Sequence, residues 1–328
     1  MEITVSRKFG STSQEYLQVS DVDRIVRSAL GEGAELEWVR TAKAGDVNSC
    51  YVLQTRKPAG CFFLKVENHA RLPRFYSGQV EREVQCLRWL KEAGIPCPEM
   101  AGWDTGKREI GGNYILTQYI DAPVLSEIWK DLPPESHTEI KRQVLDVLDT
   151  LYGISGPFYG DVYEGGNRGR HASWKEAYLA LAGLLLEDCR DIGAFADAEE
   201  EQVRVALEKS ASRLRADFPP GLTHMDMHTG NLLVEPSEKG VALRAVLDFG
   251  NAMFGSPFTD IFRLRCFSYY GDPFYEERVP RRREIPPDDL FSCDLLYSLE
   301  WMVFAKMVNW DPGVKENLLL RCRDYLED

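Results

Sequence analysis

The chain has 328 residues, 44% of them hydrophobic, and a formal net charge of -13, which is room for two lobes with separate cores. The acidic excess argues against a nucleic-acid partner, since phosphate backbones are gripped by Lys and Arg, and it is compatible with a cationic small molecule. No apolar run is long and uncharged enough to span a bilayer, Met1 to Phe9 holds no apolar leader, and eight cysteines without a Cys-x-x-Cys pair read as free thiols in a reducing compartment, so the expected location is cytoplasmic, with no membrane partner.

In chain order, helical spacing of Val22, Ile25, Val26 and Leu30 predicts a helix over 20–31, capped by Ser20. Three strands follow, at 37–42, 49–55 and 61–67, the last two joined by a hairpin turn at 56–60. The turn between the first two, Ala44 to Ser49, could lay backbone N–H groups on phosphates. It carries no Gly-x-Gly-x-x-Gly, so an ordinary hairpin turn is the alternative. Lys65 lies inside the apolar run Phe62 to Val66. In the next helix, Gln79 to Ala93, the residues Val80, Val84, Leu87 and Leu90 form one stripe. At roughly 100° per residue Glu83 falls in that stripe and Glu81 outside it. A carboxylate on a buried face needs a partner, and Lys65 is the natural one. Gly94-Ile95-Pro96-Cys97-Pro98 stops the helix, and two more strands are expected at 99–104 and 113–120.

From Pro123 helices replace strands: 136–153, then a long Gly- and aromatic-rich loop over 153–169, then helices at 174–186 and 197–214. The stretch His224-Met225-Asp226-Met227-His228-Thr229-Gly230-Asn231 comes next. It runs into two apolar segments, Leu232 to Val234 and Val241 to Leu247, around a turn with Pro236 and Gly240, and closes on Asp248-Phe249-Gly250. Two strands about such a turn form a hairpin, which brings Asn231 and Asp248 together with Asp226 just upstream. Phosphoryl transfer uses that set. Magnesium-type ions want oxygen ligands, here Asn231 and Asp248, and a carboxylate, here Asp226, positions the acceptor hydroxyl and takes its proton. Two alternatives stand beside it. Asp and Asn are common turn formers, and His224-x-Asp226-x-His228 could hold zinc, although zinc leaves Asn231 and Asp248 unexplained. His224 reads as an orienting loop residue.

The order Asp-x4-Asn, hairpin, Asp-Phe-Gly resembles the kinase superfamily. The His-x-Asp-x-His-x-x-Asn form of residues 224–231 is similar to its aminoglycoside phosphotransferase and choline kinase branch. Gly94-Ile95-Pro96-x-Pro98 and Gly255-x-Pro257-x-x-Asp260 also occur in that family, and the neighbourhoods of Trp174 and 251–255 resemble hygromycin-type phosphotransferases. The resemblance runs from about Trp38 to Asp260 and thins afterwards. It implies an α+β, bilobal protein-kinase-like fold: a small antiparallel-sheet lobe with one key helix over 1–120 that binds nucleotide, and a larger helical lobe over 121–328 with the catalytic loop and substrate site.

It also implies ATP or GTP with Mg2+ as cofactors. Lys65 would hold the phosphates and Glu83 would steady Lys65. Asn48 would lie in the phosphate loop, and backbone groups around Gln118 to Ile120 would meet the base. The acceptor would be a hydroxyl on a small molecule: an antibiotic such as an aminoglycoside first, then choline, homoserine or a sugar. A nucleotide-binding protein without kinase activity is the remaining class. Asp260 is expected to brace the catalytic loop, with substrate contact as a second role. In the mainly helical 261–328, aromatics lie among acids that could hold an amine-bearing ligand; Glu300, Trp301 and Asp311 are the candidates.

Overall fold

The computed structural model describes every residue except 44, 69–71, 216–217, 239, 267–285 and 311–312, and the side chains of 265 and 266. Asp311 therefore lies outside the described residues.

The smaller lobe is a five-stranded antiparallel sheet in the order β1-β2-β3-β5-β4, made of β1 (Glu35–Thr41), β2 (Ser49–Lys57), β3 (Ala59–Glu67), β4 (Met100–Asp104) and β5 (Asn113–Gln118). The β2–β3 turn is tighter than 56–60, because pairing runs to Arg56 opposite Ala59. Strand β5 ends two residues before 120, where the Ala122 N–H folds back onto the Ile120 carbonyl at 3.0 Å. Helix α1 (Val19–Leu30) covers one face with Val22, Ile25 and Val26, packed among Val39, Leu53, Leu64 and Leu116. Its cap is Gln18 rather than Ser20. The Asp21 carboxylate accepts the Gln18 N–H at 3.1 Å, which starts the helix earlier.

Helix α2 (Gln79–Ala93) covers the other face and sends Val80, Val84, Leu87 and Leu90 into the core of the larger lobe. Its start is held by β3: the Glu67 carboxylate accepts the N–H groups of Gly78 at 2.6 Å and Val80 at 3.0 Å, satisfying donors the helix leaves open. Gly78 has φ +83, and a Cβ there would stand 2.2 Å from the Tyr163 hydroxyl. Gly78→Ala combines left-handed strain with that clash, so its unfolding midpoint in urea should fall by an amount worth about 2 kcal/mol.

The larger lobe contains α3 (Leu125–Ile128), α4 (Pro134–Gly153), α5 (Trp174–Asp191), α6 (Asp197–Arg213), α7 (Pro257–Cys266), α8 (Pro287–Met307) and α9 (Val314–Glu327). The expected loop over 153–169 contains a strand, β6 (Tyr159–Asp161), inside a small sheet ordered β7-β6-β11-β8, with β7 at Arg170–His171, β8 at Gly221–Thr223 and β11 at Met253–Gly255. Three residues are too few to show a period, and the pairing partner of Asp161 is the distant Met253. The hairpin β9 (Leu232–Ser237) and β10 (Gly240–Val246) pairs Leu232 with Val246.

A buried charge network joins the lobes. Arg82 on α2 is wholly buried and grips Asp161 on β6 with two hydrogen bonds, 3.0 and 2.8 Å. The same guanidinium donates to the Ser77 carbonyl and to Asn167. Arg168, also buried, donates to the carbonyls of Asn251 and Phe75 at 2.5 and 3.2 Å. Among the described residues no helix is long and apolar enough to cross a membrane.

Candidate active site

The floor of the cleft is the loop from His224 to Asn231, and its shape is set from below. Asp260, in the first turn of α7, is fully buried, and its two carboxylate oxygens accept the N–H groups of His224 at 2.8 Å and Met225 at 2.7 Å. Burial pushes the Asp260 carboxyl above the usual range. Its position is that of the brace: it lies wholly buried beneath the loop with both oxygens turned to the loop backbone. Met225 then adopts φ +66, a left-handed conformation that non-glycine residues hold only when their surroundings impose it. That kink turns Asp226 up into the cleft, where its side chain is 24% exposed.

Both ring nitrogens of His224 are engaged. Nδ1 accepts the Asp226 N–H at 3.2 Å, and Nε2 lies 2.9 Å from the Leu247 carbonyl. His228 Nδ1 accepts the Gly230 N–H at 3.0 Å, and burial lowers its pKa from the ordinary value. The Nδ1 lone pairs of His224 and His228 are thus both engaged by backbone N–H groups, and among the described residues no three His, Cys, Asp or Glu side chains gather as a metal site.

Asn231 and Asp248 meet where the hairpin closes. The Leu247 N–H donates to the Asn231 carbonyl at 2.8 Å. The Asn231 carboxamide donates to the Asp226 carbonyl at 2.9 Å, which leaves its side-chain oxygen as an acceptor. Asp248 sits at φ +62, the second left-handed non-glycine beside the cleft. Lys65 reaches down from β3 and bridges Glu83 at 2.5 Å and Asp248 at 2.9 Å. Burial alone would drive the Lys65 ammonium towards its neutral form, but Asp248 and Glu83 outweigh it and hold it charged above the ordinary lysine value. The enclosed setting would raise the Asp248 carboxyl; Lys65 reverses this and holds it below the usual range. Glu81, two residues before Glu83, accepts from Asn113 at 2.7 Å instead.

Asn48 is buried in the β1–β2 loop and donates to Gln79 at 2.6 Å, and Gln79 donates to Asn251 at 3.0 Å. These amides tie the loop, the start of α2 and the turn after Asp248 together. The Asn48 side-chain oxygen is buried without a partner. The N-terminal segment adds to the loop: Ser13 donates to the Val47 carbonyl at 2.7 Å, Gln14 to those of Gly45 at 3.1 Å and Asn48 at 2.8 Å, and Arg7 pairs with Asp46. The Thr12 N–H reaches the Met307 carbonyl on α8 at 3.0 Å. Sequence reading missed this arm, because its serines and glutamine act through backbone contacts that leave no period.

At the expected hinge, the N–H of Gln118 is spent on the Glu99 carbonyl at 2.8 Å and that of Tyr119 on the Cys61 carbonyl at 2.9 Å. The N–H of Ile120 has no partner among the described residues, so it is the donor of the three that a base could take. Glu300 is buried on α8 and paired with Arg263 of α7; it also accepts from the Tyr76 hydroxyl at 3.4 Å. Trp301 stacks on Tyr297 and Phe304 with ring centroids 5.8 and 5.4 Å apart and meets Trp310 edge-on at 5.4 Å, a packing role in the described contacts. Arg263 and Arg82 were not foreseen. Arg263 follows Asp260 by one helical turn, and that i, i+3 spacing is the signal that would have found it.

No curated protein sequence matches the chain significantly. Solved structures do. A protein provisionally named a fructosamine-3-kinase from Thermobifida fusca YX-ER1 is 19% identical, with a TM-score of 0.64 over 93% of this chain and 99% of that one. A second provisionally named fructosamine-3-kinase, from Haemophilus somnus 129PT, is 13% identical with a TM-score of 0.67 over 94% and 97%. A thermostable mutant of aminoglycoside phosphotransferase APH(4)-Ia, in complex with AMP-PNP and hygromycin B, is 17% identical with a TM-score of 0.64 over 94% and 98%. These likenesses establish the bilobal protein-kinase-like α+β fold. The sequence itself matches the family model described as phosphotransferase enzyme family over residues 38–285, most of its length, and the chain belongs to that family.

Proposed function

We propose that this phosphotransferase moves the γ-phosphoryl group of ATP, or of GTP, to a hydroxyl of a small molecule, with an antibiotic such as an aminoglycoside as the first acceptor class. The observation that carries the reading is Lys65, held charged between Glu83 and Asp248, beside Asn231 and the upturned Asp226. Lys65 steadies the phosphates and Glu83 fixes Lys65. Asn231 and Asp248 present a carboxamide oxygen and a carboxylate, the hard donors that suit magnesium; the ion would neutralise charge on the phosphates. Asp226 orients the acceptor hydroxyl and takes its proton. The nucleotide-binding lobe would be 1–120 and the acceptor lobe 121–328. Support comes from similar structures that hold AMP-PNP with hygromycin B, and GDP with kanamycin.

A second reading, a kinase for a sugar-bearing metabolite, is favoured by the fructosamine-3-kinase neighbours, whose TM-scores of 0.64 and 0.67 equal or exceed that of the APH(4)-Ia structure. Turnover of ATP and GTP with magnesium, across a panel of antibiotics, hydroxylated amines and glycated amines, separates the two. A phosphate found by mass on one antibiotic supports the first reading, and phosphate on a sugar supports the second. Absence of transfer to every member would overturn the antibiotic assignment.

A further inference from the structure

The Asp226 carboxylate is not alone in the cleft. Its Oδ2 faces the Asn231 carboxamide at 3.4 Å. Its Oδ1 faces Arg263 Nη1 at 3.8 Å and His228 Nε2 at 3.9 Å. Arg263 stands on α7, one turn beyond the Asp260 brace, and its side chain is 7% exposed. It is held on two further sides: its guanidinium pairs with Glu300 of α8 and lies over the Tyr297 ring, 4.6 Å from the centroid. Glu300 in turn accepts from Tyr76, the residue just ahead of α2 and its Gly78 start. Met225, Thr259, Phe262, Leu296 and Tyr297 form the rest of the wall around Arg263.

We infer that Arg263 is a positioning residue for acceptor activation: anchored by Glu300, it holds Asp226 Oδ1 on the acceptor side of the cleft. This rests on the reading of Asp226 as the acceptor base. The distances favour orientation over sequestration. At 3.8 Å Arg263 attracts the carboxylate but is too far to occupy an oxygen by a hydrogen bond, so the lone pairs stay available to a hydroxyl. Glu300 pairs with the same guanidinium from the other side, so the Arg263 charge is balanced on α8 while it faces Asp226. A salt bridge that only joined α7 to α8 would need Glu300 and Arg263 but no approach to Asp226.

The test compares wild type with Asp226→Asn, Arg263→Lys, Arg263→Met, Glu300→Gln and the double variant Asp226→Asn/Arg263→Met. Turnover of ATP with magnesium is measured with the acceptor found by the panel or with water as acceptor, alongside the Kd of an ATP analogue and Tm. The expected result is a kcat lowered roughly 10- to 100-fold in Arg263→Met, the cost of a misplaced reacting group, with KM and Kd for nucleotide unchanged. Arg263→Lys should recover most of it, Glu300→Gln should show a smaller loss of the same kind, and the double variant should be little worse than Asp226→Asn alone. Wild-type kcat in folded Arg263→Met, or losses in the double variant that multiply, would overturn the inference while leaving Asp226 in place. Turnover insensitive to Asp226→Asn would instead remove the base assignment, and the inference with it.

Discussion

Asp226→Asn should lower phosphoryl transfer by about 10²- to 10⁴-fold, the range over which a positioned proton acceptor acts, without a measurable change in Tm or in nucleotide Kd. The side chain is 24% exposed at the mouth of the cleft, so the substitution buries nothing new. The contacts that shape the loop are made by backbone: the Asp226 carbonyl receives Asn231, and its N–H goes to His224. An amide keeps those intact and keeps the size of the group, but it cannot take a proton at neutral pH. Steady-state kinetics with a coupled nucleotide assay and a thermal melt check both halves. Full transfer activity in this variant would remove Asp226 from the chemistry; a large drop in Tm would move it into the scaffold.

The second large effect lies away from the chemistry. Arg82→Met should cost about 3–5 kcal/mol, because it leaves the wholly buried Asp161 without its cation. For a chain of this size that corresponds to a fall in Tm on the order of 10 °C. Arg168 cannot step in. Its guanidinium is directed at the carbonyls of Asn251 and Phe75. Removing both partners, in Arg82→Met/Asp161→Leu, should recover much of the loss, since no uncompensated charge remains. The single variant should also raise the nucleotide KM. Arg82 immediately precedes Glu83, so loosening α2 loosens the contact that holds Lys65. A melt and an ATP titration on the three proteins decide it: a double variant as unstable as Arg82→Met would show that packing, rather than the stranded charge, sets the cost.

The family, the fold class and the order of loop, hairpin and Asp-Phe-Gly turn were legible in the residues alone. Their signals are local or periodic: a helical stripe over Gln79 to Ala93, short apolar runs set between turns, and a hairpin that forces Asn231 and Asp248 to one end. The choice of Glu83 over Glu81 came from the same helical period, and the structure sets Glu83 against Lys65 and Glu81 against Asn113. Phase along a helix is a property of neighbours in sequence, so neighbours suffice to read it.

What only the tertiary structure decided involves partners far apart in the chain. Asp161 needs Arg82 and the β11 strand to become a strand residue and an interlobe anchor. Arg263 acquires its place beside Asp226 and Glu300 only when α7 and α8 pack under the loop. The N-terminal arm shows no pattern until its serine and glutamine find the backbone of residues 45–48. Asp260 takes the N–H groups of His224 and Met225 only once α7 packs beneath the loop. In each case a buried polar group must find a partner or bear its desolvation cost. Composition and spacing announce that a partner is required, and the packing of distant elements determines which one it is.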